Sequence, residues 1–221
     1  MQRAKENGSL QFHQNTELEM LEYVYKHATK NNPESVIKTI DNFCWTKHWM
    51  MHVGDEKGKI LSDIIEKETP TTVLELGTYC GYSTIRIASK MNGKVYTIDP
   101  DIGIIDTVTK KLVEFAGLQD KIVFLTGTLE TLLNVDCLKD MKFDLVFIDH
   151  AKNRYFPDLL LLEHYNLLSD RIVIVADNVI VFNIQDYESY VEKNYDTHTL
   201  FTNLEYDDGK YKDGVVISRK K

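Results

Sequence analysis

Between Thr72 and Ala176, five short apolar runs rich in β-branched residues alternate with stretches of helical spacing. They are TVLEL (72–76), KVYTI (94–98), KIVFL (121–125), FDLVFI (143–148) and RIVIVA (171–176). Strands joined through helices cross over and lie parallel, and near-continuous apolar runs belong to strands covered on both faces. The alternation therefore predicts a doubly wound α/β fold. HTLFTNLEY and GVVISRK, separated by DDGKYKD, add an antiparallel hairpin at one side. The expected sheet has seven strands, mostly parallel, with one antiparallel.

The segment upstream of the sheet reads as helical. Leu18, Leu21, Tyr25 and Ala28 share one helical face. Asn32 suits an N-cap and Pro33 a first helical position, with Val36, Ile37, Ile40 and Cys44 behind them on one face. A third helix after Asp55 carries Ile60, Leu61, Ile64 and Ile65. We read residues 1–221 as one domain, with 1–15 a flexible polar arm and 16–68 a helical cap.

Composition excludes several classes of function. A formal charge of −8 with no basic stripe argues against nucleic acid and anionic membranes as partners. The cysteines Cys44, Cys80 and Cys137 are odd in number and form no CxxC pair, which argues against a disulfide framework or a zinc site. The N-terminus lacks the apolar core of a signal peptide, and no apolar run reaches the roughly 18 residues of a membrane span. The expectation is a cytoplasmic monomer acting on a small molecule.

In doubly wound sheets, ligands bind beyond the carboxyl ends of the strands, so each strand tip is a candidate site. At the first tip, LELGTYCGYS (74–83) holds Gly77 and Gly81 in a turn that opens the next helix. Any strand-to-helix turn could use two glycines. Tyr79, however, stands where the dinucleotide fingerprint has its middle glycine, which disfavours a pyrophosphate and a nucleotide-dependent dehydrogenase. Asp99, 22 residues after Gly77, suits the hydroxyls of a ribose, and Glu75 the cationic end of the ligand. A nucleoside without pyrophosphate points to S-adenosylmethionine.

The fourth and fifth tips carry Asp149 and the pair Asp177–Asn178. Adjacent parallel strands bring such tips within a few ångströms of one another. Two carboxylates and an amide oxygen form a hard donor set suited to Mg²⁺. Lys152, one helical turn past Asp149, then suits a proton acceptor, since a nearby divalent cation disfavours its ammonium form. His150 is either a wall of the adenine site or a satisfied turn histidine.

Several segments in the same order resemble the catechol O-methyltransferase family, within the cation-dependent O-methyltransferases. They are WMMHVGDEKG (49–58), LELGTYCGYS, EFAGLQDKI (114–122), FIDHAKNRY (147–155), LLLLE (159–163), ADNVIV (176–181) and LEY (204–206). The resemblance runs from about Glu17 to Glu205 and implies a Rossmann-like fold with S-adenosylmethionine and Mg²⁺ as cofactors. It implies Asp149, Asp177 and Asn178 as metal ligands, Lys152 as general base, and Glu205 as the residue holding the second catechol hydroxyl. Val53, Glu75, Gly77, Tyr79, Ser83, Asp99, Asp149 and His150 fall at cofactor positions. Trp49, Met51, Lys152, Asn178, Phe182 and Glu205 fall around the substrate.

Three departures from the family pattern concern affinity rather than chemistry. Ala151 replaces a tryptophan over the adenine, Phe182 a proline beside the catechol ring, and Leu129 a serine near the adenine edge, with Glu130 following. Another phenolic acceptor, such as a hydroxycinnamoyl ester, and a non-catalytic relative that binds a partner are the alternative readings.

Overall fold

A computed structural model describes residues 15–135 and 137–221; most of the expected arm, 1–14, lies outside the described residues. Helices α1 (Thr16–His27), α2 (Pro33–Thr46) and α3 (Gly54–Glu68) precede strand β1 (Thr72–Leu76). Then follow α4 (Tyr82–Lys90), β2 (Lys94–Asp99), α5 (Lys110–Ala116), β3 (Ile122–Thr126), α6 (Leu129–Leu133) and β4 (Phe143–Ile148). The chain ends with α7 (Tyr155–His164), β5 (Leu168–Ala176), α8 (Gln185–Asn194), β6 (Tyr195–Asn203) and β7 (Lys212–Lys220). All seven strands form one sheet in the order β3-β2-β1-β4-β5-β7-β6. Strands β1 to β5 pair in parallel, whereas β7 runs antiparallel to both β5 and β6. The doubly wound sheet with one antiparallel strand is the architecture expected from the sequence.

The continuous apolar runs have the cause assigned to them. In β4, Leu145 and Phe147 pack into a core on the side of α1 to α4, while Val146 and Ile148 pack into a second core with Leu159 and Leu162 of α7. Each such side chain contributes about 1.5–3 kcal/mol when fully buried, so neither face of this strand tolerates a polar residue. Strand order reverses at β1, whose neighbours are β2 and β4. The tips of β1, β2, β4 and β5 therefore open on one crevice at the switch point.

The helices largely follow their sequence signals. The Asn32 carboxamide accepts from Ser35 N at 3.0 Å, with Pro33 in the first turn of α2, and Gly117 closes α5 at φ 77°. The stretch between β2 and Gly117 is not one regular α-helix: Ile102–Ile104 leads into a π-helical stretch, Ile105–Thr109, before α5. The expected inner face of α1 needs correction. Leu18 and Tyr25 are exposed, whereas Leu21 is buried as expected, together with Met20 and Val24, and Ala28 packs partly buried against the core. Both stripes satisfy helical spacing, and only the docking of α1 chooses between them.

Candidate active site

Gly77 and Asp149 are held together by backbone geometry. Gly77 N donates to Ile98 O at the β2 tip, and Asp149 N donates to Leu76 O at the β1 tip. Gly77 adopts φ 100°, and a Cβ there would stand 2.3 Å from the Asp149 carbonyl oxygen. No other residue fits that approach. Tyr79 also has positive φ, 44°, and its backbone N–H and that of Thr78 donate to Asp99 Oδ2 at 2.9 and 3.0 Å. Asp99 thus ties the glycine turn to the tip of β2.

This turn forms one wall of a cleft of about 590 Å³. Of the residues marked by the sequence, Met51, Gly77, Tyr79, Asp99, Asp149, His150, Lys152 and Phe182 line it. So do the departures Leu129 and Ala151. His150 stacks on the Tyr155 ring and pairs through Nε2 with Asp158 Oδ2 at 2.8 Å. It is a cleft wall, and its Nδ1 is buried without a hydrogen-bond partner, so it is not the fully satisfied turn histidine of the alternative reading.

Glu75 is fully buried behind the turn. Its Oε2 accepts from Thr84 and Thr97 hydroxyls at 2.5 and 2.6 Å, while Oε1 is buried with no hydrogen-bond partner. Burial pushes this carboxyl up to about 7, against the pull of the Ser83, Thr84 and Thr97 hydroxyls.

The fourth and fifth tips converge as the strand pairing requires. Asp177 N donates to Ile148 O, and Lys152 Nζ lies 2.9 Å from Asp149 Oδ1 and 3.0 Å from Asn178 Oδ1. Asn178 holds φ 56°, a left-handed conformation that asparagine accepts more readily than most residues. Lys152 Nζ also donates to Tyr155 Oη at 2.7 Å and stands 5.5 Å from the centre of the Phe182 ring.

The sequence profile of the O-methyltransferase family matches residues 26–208. The chain belongs to the O-methyltransferase family. It is accordingly an S-adenosylmethionine-dependent methyltransferase. Among its relatives, catechol O-methyltransferase of Bos taurus is 38% identical over 212 residues, covering 90% of this chain and 74% of the relative. That of Mus musculus is 42% identical over 186 residues, covering 79% and 67%. The crystal structure of an O-methyltransferase from Bacillus cereus in complex with SAH shares the fold, with a TM-score of 0.70 at 23% identity. The match covers 92% of this chain and 97% of that one.

A buried charge cluster completes the site of this O-methyltransferase. Lys57, on the first turn of α3, is 1% exposed. Its Nζ lies 2.8 Å from Asp177 Oδ1, 2.9 Å from Glu205 Oε2 and 2.6 Å from Asp213 Oδ2. Asn178 Nδ2 donates to Asp213 Oδ2 at 2.9 Å and approaches Glu205 Oε2 at 3.4 Å. Burial pushes Asp177 well up and Glu205 up from the ordinary carboxylate range, with Lys57 pulling both down. Trp49 Nε1 donates to the Glu205 backbone oxygen at 2.9 Å. Val53, Ser83, Trp49, Asp177, Asn178 and Glu205 are all buried rather than lining the cleft.

Sequence reasoning missed Lys57 and Asp213. The signal for Lys57 was present: it falls on the apolar stripe of α3 with Leu61, Ile64 and Ile65, where an unpaired lysine does not belong. Asp213 had no comparable signal, since it follows a polar turn and reaches Lys57 only through the pairing of β5 with β7.

The donor set fits a divalent cation. Asp177 Oδ2 is buried without a partner. Asp149, Asp177, Glu205 and Asp213 against Lys57 and Lys152 leave two negative charges in excess when all are ionised. Among the described residues no three His, Cys, Asp or Glu side chains group to hold a metal.

Proposed function

We propose that this O-methyltransferase transfers the methyl group of S-adenosylmethionine to one hydroxyl of a catechol, with Mg²⁺ as a required cation. The observation that carries the reading is the meeting of Lys152 Nζ with Asp149 and Asn178 at two adjacent strand tips, beside a cleft bounded by the glycine turn. In support, relatives up to 42% identical bear the name catechol O-methyltransferase.

The Gly77–Tyr79 turn would hold the donor, with Asp99 and His150 at its nucleoside and Glu75, Ser83 and Val53 behind the turn. Asp149, Asp177 and Asn178 would hold the cation. When bound, Mg²⁺ acts as a Lewis acid that makes a phenol hydroxyl more acidic. Lys152, as the free amine, removes the hydroxyl proton. The phenol oxygen then forms its bond to the methyl carbon as the carbon–sulfur bond breaks. That electron pair stays on sulfur, giving S-adenosylhomocysteine, and the proton remains on Lys152. Glu205 Oε1, buried without a partner, accepts from the second hydroxyl. Met51 and Phe182, which line the cleft, flank the ring, with Trp49 buried behind them, so that proximity and alignment supply much of the rate.

The test is methyl transfer from labelled S-adenosylmethionine to catechol and to a hydroxycinnamoyl ester, with Mg²⁺ and with a chelator. Catechol methylation that needs Mg²⁺ and falls by about 10²–10⁴-fold in Lys152→Met, with donor binding retained, is expected. Equal rates with the chelator, or transfer to the ester alone, would contradict the reading. So would full activity in Asp149→Ala.

A further inference from the structure

We propose that Lys57 is a positioning residue of the acceptor site, fixing the Glu205 carboxylate so that one of its oxygens stays free for the acceptor's second hydroxyl. This rests on the catechol reading above. Three contacts from one segment grip Glu205. Trp49 Nε1 holds its backbone oxygen at 2.9 Å. Gly54 packs so tightly against it that a Cβ at position 54, where φ is 74°, would stand 2.5 Å from Glu205 Cβ. Lys57, one helical turn further, takes Oε2 at 2.9 Å. Oε1 is thereby left buried and unpartnered, beside an Asn178 that itself reaches Lys152. A carboxylate with a free rotor could turn either oxygen away, and Lys57 removes that freedom.

The other two contacts of Lys57 link the acceptor side to the strand tip. Asp177 and Asp213 share the same ammonium, and Asp213 also receives Asn178 Nδ2 and Val181 N. One cation thus sets the spacing between Glu205 and the Asp177–Asn178 tip. Lys57 touches neither the cleft wall nor Lys152, so it acts through these carboxylates rather than on the reacting atoms.

The experiment compares wild type, Lys57→Met, Asp213→Asn and the double variant Lys57→Met/Asp213→Asn. Lys57→Met strands buried carboxylates and destabilises the fold; the double variant removes a cation and an anion together. Four quantities are measured on folded protein: melting temperature, S-adenosylmethionine affinity, Mn²⁺ affinity by electron paramagnetic resonance, and catechol KM and kcat. The expected result for both Lys57 variants is donor affinity within about threefold of wild type and Mn²⁺ affinity not reduced, since Asp177 loses a competing cation, with catechol KM raised about tenfold or more and kcat changed less, as loss of a charged hydrogen bond implies. Asp213→Asn, which leaves Lys57 on Glu205, raises catechol KM by a smaller factor than either Lys57 variant.

An unchanged KM in the Lys57 variants overturns the assignment. So does a proportional loss of donor, Mn²⁺ and catechol binding, or a double variant that does not fold, since either makes Lys57 a residue of the core alone. Wild-type protein that binds donor but methylates no catechol overturns the catechol reading itself, and the assignment with it, before any variant is compared.

Discussion

Replacing Glu75 by glutamine should make the ligand-free protein more stable at alkaline pH, and the size of the gain follows from the structure. The carboxyl is fully buried and raised from an ordinary 4.5 to about 7. Each unit is worth 1.36 kcal/mol of preference for the neutral form, so ionised Glu75 costs the folded state about 3 kcal/mol. A raised folded value fixes the sign. The wild-type contribution is fully present below 4.5 and is lost as pH rises through about 7. Other carboxyls raised by burial, Asp41, Asp177 and Glu205 among them, are present in both proteins, so only the difference between the two is informative. Urea unfolding of wild type and Glu75→Gln, without donor, measures it across the range from about pH 4 to about pH 8. The gap should move in favour of the glutamine by about 3 kcal/mol over that range. Donor affinity should fall in the same variant, because an amide replaces the charge. Parallel unfolding curves would refute the reasoning, since Glu75 would then ionise inside the fold as easily as outside it.

Two further changes probe the frame around the site. Gly77→Ala should cost at least about 1 kcal/mol by calorimetric melting and weaken donor binding, because its Cβ meets the Asp149 carbonyl oxygen at 2.3 Å. Asp144→Asn should flatten the acid limb of the stability curve while leaving kcat unchanged. Burial raises Asp144, but hydrogen bonds from Arg171 and Thr71 outweigh it and hold the carboxyl well below the ordinary range. Its contribution is therefore present above 3.8 and lost as pH falls through the folded value.

Much of this molecule is legible from period and position. The apolar runs were recognisable because burial on both faces leaves no polar residue to alternate. The strand-tip rule then located Gly77, Asp99, Asp149 and Asp177–Asn178 without any tertiary information, and the pairing of β4 with β5 brings the last three together. Glu205 and its surroundings were not legible in that way. It sits at no strand tip, and only the family resemblance marked it. Lys57 and Asp213 lie 156 positions apart, and no local pattern reports a contact of that length. The inner face of α1 failed for a different reason: two overlapping stripes fit one helix, and the neighbour that selects between them is not written in the helix.

The contacts from Trp49 to Glu205 and from Lys57 to Asp213 each span 156 residues. On the ribosome, the glycine turn and the tips of β1, β2 and β4 are all synthesised before residue 150 has been added. The acceptor side, in contrast, stays without Glu205 and Asp213 until the last hairpin has emerged from the exit tunnel and joined the sheet. Until then Lys57 lacks two of its three anions, so the glycine turn can form before the buried charge cluster does. Arrival of the last hairpin is the step that brings Glu205 and Asp213 to Lys57.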